Sequence, residues 1–193
     1  MEHLELFTDG GATKIRKKYF GSAAYVIKFK GKYFITTDPV KEGTNNYYEL
    51  KAMRDGLRAI TSNWRSLADT EVWIISDSQY AISCVTKWFN GWKCRRGKYY
   101  NSQGNEIANI ELILEIRKLL EKIPHYRFIK IRSHIGASID STYQEFKMKN
   151  RLDVTLAEYL MLVHFNDLCD KAIANAMNYL RRDLARSIGV DFV

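Results

Sequence analysis

The chain has 193 residues, 46% of them hydrophobic and 27% charged, which suits one globular domain with a sizeable core. A formal net charge of +8 and a pI near 9.3 favour a polyanionic partner, with nucleic acid ahead of a membrane surface. No apolar run is long enough to span a bilayer, and the first residues lack the pattern of a signal peptide. The three cysteines are scattered, as reduced thiols are. We therefore expect one domain over residues 1–193, in the cytoplasm, with no membrane partner.

Two apolar runs in this sequence each lead directly to an aspartate. Leu4–Thr8 has strand composition and is followed by Asp9 and by Gly10–Gly11, which we expect to end the strand. Val72–Ser76 repeats the arrangement and leads to Asp77. One such acid alone is equally well a surface turn residue. Two strands that deliver an acid to the same edge of a sheet can instead place both on one metal cluster.

The other predicted elements complete an α/β pattern. In chain order they are strands over residues 22–29 and 32–36, a helix over 47–60 with an apolar stripe, a short helix over 78–85, a helix over 107–122, a strand over 126–132 and a long helix from residue 155. The first three strands have short connections, which predicts an antiparallel meander. The basic run Lys14–Lys18 lies between the first two and is either a solvated charge run or a phosphate contact.

Two further acids belong to predicted helices. Glu49 falls in a first helical turn, where it can also be a simple partner of the helix dipole. Asp170 interrupts the apolar face of the last helix. If these two join Asp9 and Asp77, four carboxylates repel one another unless cations lie between them. Oxygen ligands suit Mg²⁺ or Mn²⁺, and two ions about 4 Å apart can hold an attacking water and stabilise the leaving oxygen of a phosphodiester.

Aromatic and basic side chains alternate between Lys87 and Tyr100. This combination is typical of a surface that meets a sugar-phosphate backbone. The alternative is a helix with aromatic packing and a solvated basic end. The sequence favours nucleic-acid contact.

The chain resembles type 1 ribonuclease H. The resemblance rests on four segments in the right order and spacing: residues 7–11 (FTDGG), 44–50 (TNNYYEL), 76–80 (SDSQY) and 166–172 (NDLCDKA). It implies an α/β ribonuclease H-like fold, with a mixed five-stranded sheet flanked by helices and a basic protrusion, to which this chain adds an insertion before the last helix. It also implies a monomer that cleaves the RNA strand of RNA–DNA hybrids with two Mg²⁺ ions, for which Mn²⁺ can substitute, and leaves 5′-phosphate products.

Site residues follow from the resemblance, position by position. The metal-binding catalytic acids are Asp9, Glu49, Asp77 and Asp170. His134 corresponds to an assisting histidine on a mobile loop. The substrate-binding positions are Thr44, Asn45, Gln79, Trp88, Trp92, Lys93, Arg95, Arg96, Lys98 and Asn109.

The sequence departs from the family in two places. The basic run Lys14–Lys18 replaces a loop rich in glycine and asparagine, so one expected substrate contact is missing. An insertion, roughly residues 137–165, separates His134 from the last helix and makes His164 a rival for its role. This insertion either lengthens the last helix, with Leu160 and Val163 packed on the body, or covers the scissile phosphate. Its cations are Lys147, Lys149 and Arg151.

Two alternatives to a hybrid-cleaving enzyme stay open. A hybrid-binding module that has lost catalysis is disfavoured because all four acids are present. Another nuclease of the same fold, such as a resolvase, is disfavoured by Asn45 and Gln79 and by the aromatic-basic protrusion.

Overall fold

The computed structural model describes residues 3–65, 67–132 and 138–187. Its strands are β1 (His3–Ile15), β2 (Lys18–Phe29), β3 (Lys32–Thr37), β4 (Lys41–Glu42), β5 (Glu71–Ser76), β6 (Lys93–Arg95), β7 (Lys98–Tyr100) and β8 (Tyr126–Lys130). Its helices are α1 (Asn45–Asn63), α2 (Gln79–Ser83), α3 (Ile110–Leu120), α4 (Ile139–Asn150) and α5 (Leu156–Ser187). Five strands form the main sheet in the order β3-β2-β1-β5-β8, and the two-residue β4 pairs with β2. The mixed α/β sheet predicted from the sequence is confirmed, with β1 to β3 antiparallel and β5 and β8 parallel to β1.

The first strand is longer than predicted. Gly10 and Gly11 do not end β1, which continues to Ile15 in antiparallel register with β2. The partner strand supplies the backbone hydrogen bonds, so the two glycines lie inside a hairpin. The chain turns only at Arg16, which has a φ of 58°. The basic run is therefore the tip of a β-hairpin.

Helices cover both faces of the sheet. The predicted stripe of α1 faces β1, and its four members are at most 2% exposed: Leu50, Met53, Leu57 and Ile60. Helix α3 packs beside α1, and α5 covers the opposite face of β1 and β2 with Phe165, Cys169 and Ile173. Among the helices described, none is both long and apolar enough to cross a membrane.

The insertion does not simply lengthen the last helix. It contains a separate helix, α4, which ends at Arg151 in the left-handed conformation before α5 begins at Leu156. Val163 is buried as predicted, but Leu160 is 36% exposed. The predicted face was wrong at Leu160 because α4 and the sheet cover the side of α5 that carries Tyr159, Leu162 and Val163.

Helix α4 is attached to the outer edge of the sheet by the side-chain amide of Asn150. The backbone N–H of Lys130 donates to Asn150 Oδ1 over 2.8 Å, and Asn150 Nδ2 donates to the Lys130 carbonyl over 2.9 Å. Nδ2 also reaches the Phe146 carbonyl at 3.0 Å, within α4 itself. The amide thus fixes the C-terminal end of α4 against the end of β8.

The aromatic-basic stretch forms a protrusion. Helix α2 continues into a π-helical turn, Cys84–Trp88, and a short 3₁₀ turn, Phe89–Gly91. The antiparallel hairpin β6–β7 follows, closed by Arg96 and Gly97 with φ values of 51° and 78°. Two consecutive positive φ angles suit a tight two-residue hairpin, and glycine adopts one of them without strain.

Candidate active site

Two parallel strands bring Asp9 and Asp77 side by side. The last paired residues of β1 and β5 are Thr8 and Ser76, and each aspartate follows directly. Neighbouring strands lie about 4.8 Å apart, so the two acids are adjacent across the sheet. The shared edge predicted from the sequence is therefore present, although β1 itself continues past Asp9.

A glycine allows the third acid to approach. A Cβ on Gly10 would lie 2.1 Å from the backbone nitrogen of Glu49, so α1 starts in direct contact with the backbone of β1. Asn45 holds this junction, since its Oδ1 accepts from the N–H of Ala12 at 3.1 Å. Its Nδ2 donates to Glu49 Oε1 at 2.8 Å. Asn45, predicted as a substrate contact, therefore orients the carboxylate of Glu49.

Ser78 connects Glu49 to the start of α2. Its hydroxyl donates to Glu49 Oε2 and accepts from the N–H of Ala81 at 3.0 Å. Ser78 was missed in the sequence reasoning. The available signal was its position directly after Asp77, where serine is a favoured residue to precede a helix.

The fourth acid comes from α5. Cys169 Sγ contacts the Phe7 carbonyl at 3.8 Å, and the rings of Phe7 and Phe165 pack 5.3 Å apart. These contacts set the position of α5 on β1 and place Asp170 in hydrogen-bonding contact with Asp9. All four predicted acids therefore surround one edge of the sheet.

The cluster is electrostatically strained at neutral pH. Burial raises the pKa of Asp9 to about 8, and the charges of Asp77 and Asp170 act in the same direction, against the N–H of Gly10. Burial also raises the pKa of Glu49, with a further contribution from Asp77. A buried carboxylate among like charges favours its neutral form or a bound cation.

Lys130 is a residue of this site that sequence reasoning did not single out. It is paired in register with Ser76 at the end of β8, and its Nζ donates to the carbonyl oxygens of Asp77 and Ile131. Burial lowers the pKa of this ammonium, while the charges of Asp77 and Glu49 oppose the shift. Only the pairing of β5 with β8 reveals its position, and that pairing is not readable from the local sequence.

The donor set fits a divalent cation. Within residues 3–65, 67–132 and 138–187, no three Asp, Glu, His or Cys side chains are arranged to hold one ion together. The four acids nevertheless offer only oxygen donors, the type that Mg²⁺ and Mn²⁺ prefer. Mg²⁺ is typically held by one or two carboxylates, with water and phosphate as its other ligands. The repelled, buried carboxyl of Asp9 supplies the electrostatic reason for a cation here.

The predicted substrate residues next to the acids are Thr44, Asn45 and Gln79. Thr44 caps α1, accepting from the N–H of Tyr47 at 3.3 Å. Gln79 is exposed at the start of α2, and its Nε2 donates to Ser83 Oγ at 2.9 Å. Together they extend the polar surface around Glu49 and Asp77.

An open cleft of about 700 Å³ lies between α2 and the protrusion. It is lined by Tyr80, Trp88 and Trp92, and the Tyr80 and Trp88 rings lie 6.0 Å apart. Asn109, which has a φ of 58° before α3, hydrogen-bonds Tyr80. The two predicted tryptophans thus belong to one aromatic surface, and Asn109 supports its wall.

The predicted cations of the protrusion lie together on the hairpin. They line a second open hollow of about 670 Å³: Lys93, Arg95, Arg96 and Lys98. Lys98 differs from the others because its Nζ is paired with Glu106 Oε2 at 2.9 Å. All four side chains are exposed, as a surface for a polyanion requires.

Two histidines, His134 and His164, are the candidates for the assisting role. His134 lies outside the described residues. His164 is exposed on α5 and packs edge-on against Phe165, with ring centroids 5.4 Å apart. It precedes Asp170 by six residues, which at about 100° per residue places it roughly 120° around the helix from Asp170. This position does not favour His164 as the rival.

Comparison with known proteins identifies the family. The RNase H family model matches residues 1–147. The chain belongs to the RNase H family. Ribonuclease H of Acidiphilium cryptum is 31% identical over 134 residues, which cover 69% of this chain and 76% of that protein. Ribonuclease H of Tropheryma whipplei (strain Twist) is 37% identical over 93 residues, 48% of this chain and 53% of that protein, so the chain spans about half the length of this curated relative.

Solved RNase H structures share the fold. LC11-RNase H1, isolated from compost by a metagenomic approach, matches with a TM-score of 0.58 and 18% identity over 93% of this chain and 99% of that chain. A structure of LC11-RNase H1 in complex with RNA/DNA hybrid matches with a TM-score of 0.50 and 20% identity, covering 77% of this chain and 99% of that chain. The family match ends within α4, before α5 and Asp170.

Proposed function

We propose that the protein hydrolyses the RNA strand of RNA–DNA hybrids. The observation that carries the proposal is the gathering of Asp9, Glu49, Asp77 and Asp170 at one sheet edge, with burial and like charge raising the pKa of Asp9. Membership of the RNase H family and the hybrid complex of LC11-RNase H1 support the same reaction.

The acids are proposed to hold Mg²⁺, as one ion or a pair, with Mn²⁺ able to substitute. When bound, the metal would polarise a water for attack on phosphorus and stabilise the departing 3′-oxygen. Cleavage of the P–O3′ bond leaves the phosphate on the 5′ end of one product and a 3′-hydroxyl on the other. Asn45 and Ser78 hold the Glu49 carboxylate at both oxygens, so its orientation is set before substrate arrives. The raised pKa of Asp9, caused by burial and by neighbouring negative charge, favours a bound cation beside it.

Substrate binding is assigned to the remaining polar and aromatic residues. Asn45 and Gln79 border the acids, and the cleft with Trp88 and Trp92 lies beyond them. The cationic hairpin is proposed to contact the phosphates of the DNA strand. His134 is proposed to assist water activation or product release. Monomeric state, cytoplasmic location and a single domain over residues 1–193 stay predictions.

A chimeric-substrate assay tests the function. One labelled hybrid is compared with the matching RNA and DNA duplexes, with Mg²⁺ and with chelator. We expect cleavage of the RNA strand of the hybrid alone, only with Mg²⁺, and with 5′-phosphate ends. Binding of hybrid without cleavage would instead favour the silent module, and cleavage of a four-way DNA junction would favour another nuclease.

A further inference from the structure

A small hollow of about 120 Å³ lies between the end of β8 and the two C-terminal helices, beside the acids. Lys130 borders both places, because its Nζ donates to the Asp77 carbonyl while its side chain lines the hollow. At about 30 Å³ per water, the volume corresponds to roughly four waters, enough for a phosphate group.

The lining is strongly cationic. Lys130 and Arg132 come from the end of β8, and Lys149 comes from the last turn of α4. Glu145 is the one carboxylate among the described residues that line the hollow, and it bridges Arg132 Nη2 at 2.9 Å and Lys149 Nζ at 2.5 Å. Lys130 also faces the charges of Asp77 and Glu49, but Arg132 and Lys149 alone outnumber Glu145, which leaves an excess of positive charge that a second anion can satisfy.

A buried hydroxyl without a partner is the independent sign of a ligand. Tyr159 lines the hollow from α5, is 1% exposed, and its Oη has no hydrogen-bond partner among the residues that the structure describes. A buried hydroxyl that donates to nothing is unfavourable by about 1–3 kcal/mol, so such groups normally have a partner. The neighbouring Tyr143 follows that rule, since its hydroxyl donates to the Val154 carbonyl at 2.5 Å.

The walls are held in place without a ligand. Asn150 joins α4 to the backbone of Lys130 at both its oxygen and its nitrogen. The Tyr159 ring packs on Phe146 with centroids 4.9 Å apart and on Tyr143 at 5.6 Å. The hollow is therefore a formed site rather than a gap between loosely attached segments.

We propose that this hollow binds a phosphate group through Arg132, Lys149 and the Tyr159 hydroxyl. One source is a phosphate of the nucleic-acid chain next to the scissile one, a source that rests on the proposed function. The other is free phosphate or a mononucleotide. The insertion that carries α4 thereby acquires a role as one wall of an anion site, in place of the lid or the helix extension expected from the sequence.

The first arm of the test does not depend on nuclease activity. The melting temperature of the full chain is measured in chelator with increasing inorganic phosphate, against sodium chloride at equal ionic strength. We expect phosphate to raise it, because a ligand that binds only the folded state stabilises that state. Tyr159→Phe should bind phosphate about tenfold more weakly, the size of one hydrogen bond to a charged group, without lowering the starting melting temperature.

Two control variants, Tyr143→Phe and Lys147→Gln, test whether the hollow itself, and not the residues around it, binds phosphate. Tyr143→Phe removes a hydroxyl that has a partner, so it should lower the starting melting temperature and keep the phosphate response. Lys149→Gln should weaken phosphate binding. Lys147→Gln removes the same charge from the same helix outside the lining, so it should not.

The second arm of the test shows whether the bound phosphate group belongs to the nucleic-acid chain or is free phosphate. Hybrid binding is measured against salt in an Asp9→Asn background that does not cleave. If a chain phosphate occupies the hollow, Lys149→Gln lowers the log–log salt slope by about 0.9 and Lys147→Gln leaves it unchanged. A phosphate response in the first arm with no change in slope assigns the hollow to free phosphate. No phosphate response in the first arm, with equal slopes for the two lysine variants, overturns the proposal whether or not the protein cleaves hybrid.

Discussion

The acidic centre and the cationic hairpin are built in opposite ways. Asp9 is 7% exposed, and Glu49 is held at both oxygens by Asn45 and Ser78. The hairpin cations are exposed, and Lys98 is paired with another exposed side chain, that of Glu106. The acidic centre fixes carboxylate oxygens with hydrogen bonds, while the hairpin presents charge on long, solvated side chains.

The two kinds of construction suit two different tasks: the acidic centre fixes the positions of atoms, and the hairpin supplies affinity for a polyanion. Hydrolysis needs oxygen atoms held at defined places, which requires backbone contact such as that at Gly10 and a network of hydrogen bonds. Attraction of a polyanion needs only charge within a few ångströms, and it decreases with salt. Substitutions in the two regions should therefore change different measurements.

The largest expected effect belongs to Asp9→Asn. The amide keeps the shape of the side chain but loses the negative charge, so kcat on hybrid should decrease by more than about 100-fold. Hybrid affinity should change little, because the protrusion is untouched. Single-turnover cleavage and a separate binding titration measure the two. Substantial residual cleavage would remove Asp9 from the catalytic set.

The same residue should control stability against pH in chelator. The pKa of Asp9 is raised from 3.8 to about 8 in the folded state, so the stability that this raised pKa contributes is complete below pH 3.8 and is lost as pH rises through 8. Relative to Asp9→Asn, the wild type should lose up to about 1.4 kcal/mol per pH unit in that window. Chemical denaturation at several pH values measures this. Parallel curves for the two proteins would contradict the burial of charge at Asp9, and Mg²⁺ should reduce the difference.

Neutralising the hairpin should weaken binding without affecting chemistry. The triple variant Lys93→Gln, Arg95→Gln, Arg96→Gln should lower the salt slope of hybrid binding by roughly 0.9 for each phosphate that the hairpin no longer neutralises. Its kcat at saturating hybrid should stay that of the wild type. An unchanged slope would show that these cations face only solvent.

The smallest expected effect is a difference in stability between two variants, one with a substitution in each region. Ser78→Ala removes the cap of α2 and one hydrogen bond to Glu49, so unfolding should become easier by about 1 kcal/mol. Lys98→Gln breaks only an exposed ion pair and should leave the melting temperature unchanged. Equal melting temperatures for the two variants would mean that the centre is less tightly built than its hydrogen bonds indicate.

The sequence was most informative where local pattern and chemistry agree. The stripe of α1 and the aspartate that follows β5 depend on residues close together in the chain, and the structure has both. The four acids could be grouped because each lies in a short segment whose sequence resembles a motif of the same family.

The features that the sequence did not predict depend on contacts between residues that are distant in the chain. Gly10 and Gly11 do not stop β1, because β2 continues beside them. Leu160 is exposed because α4, a helix of its own, covers another side of α5. Lys130 reaches the acids only because β8 lies beside β5. None of these partners can be identified from the residues around the position itself.

Asn150 has a consequence for how the molecule behaves among its copies. Strand β8 is an outer strand, and the outward N–H and C=O of such a strand can recruit a strand from another chain. The Asn150 amide occupies the N–H and C=O of Lys130 as a neighbouring backbone would. At the end of the sheet nearest the acids, one side chain thus takes the place of an additional strand, and the backbone of Lys130 is no longer available to a strand of another copy.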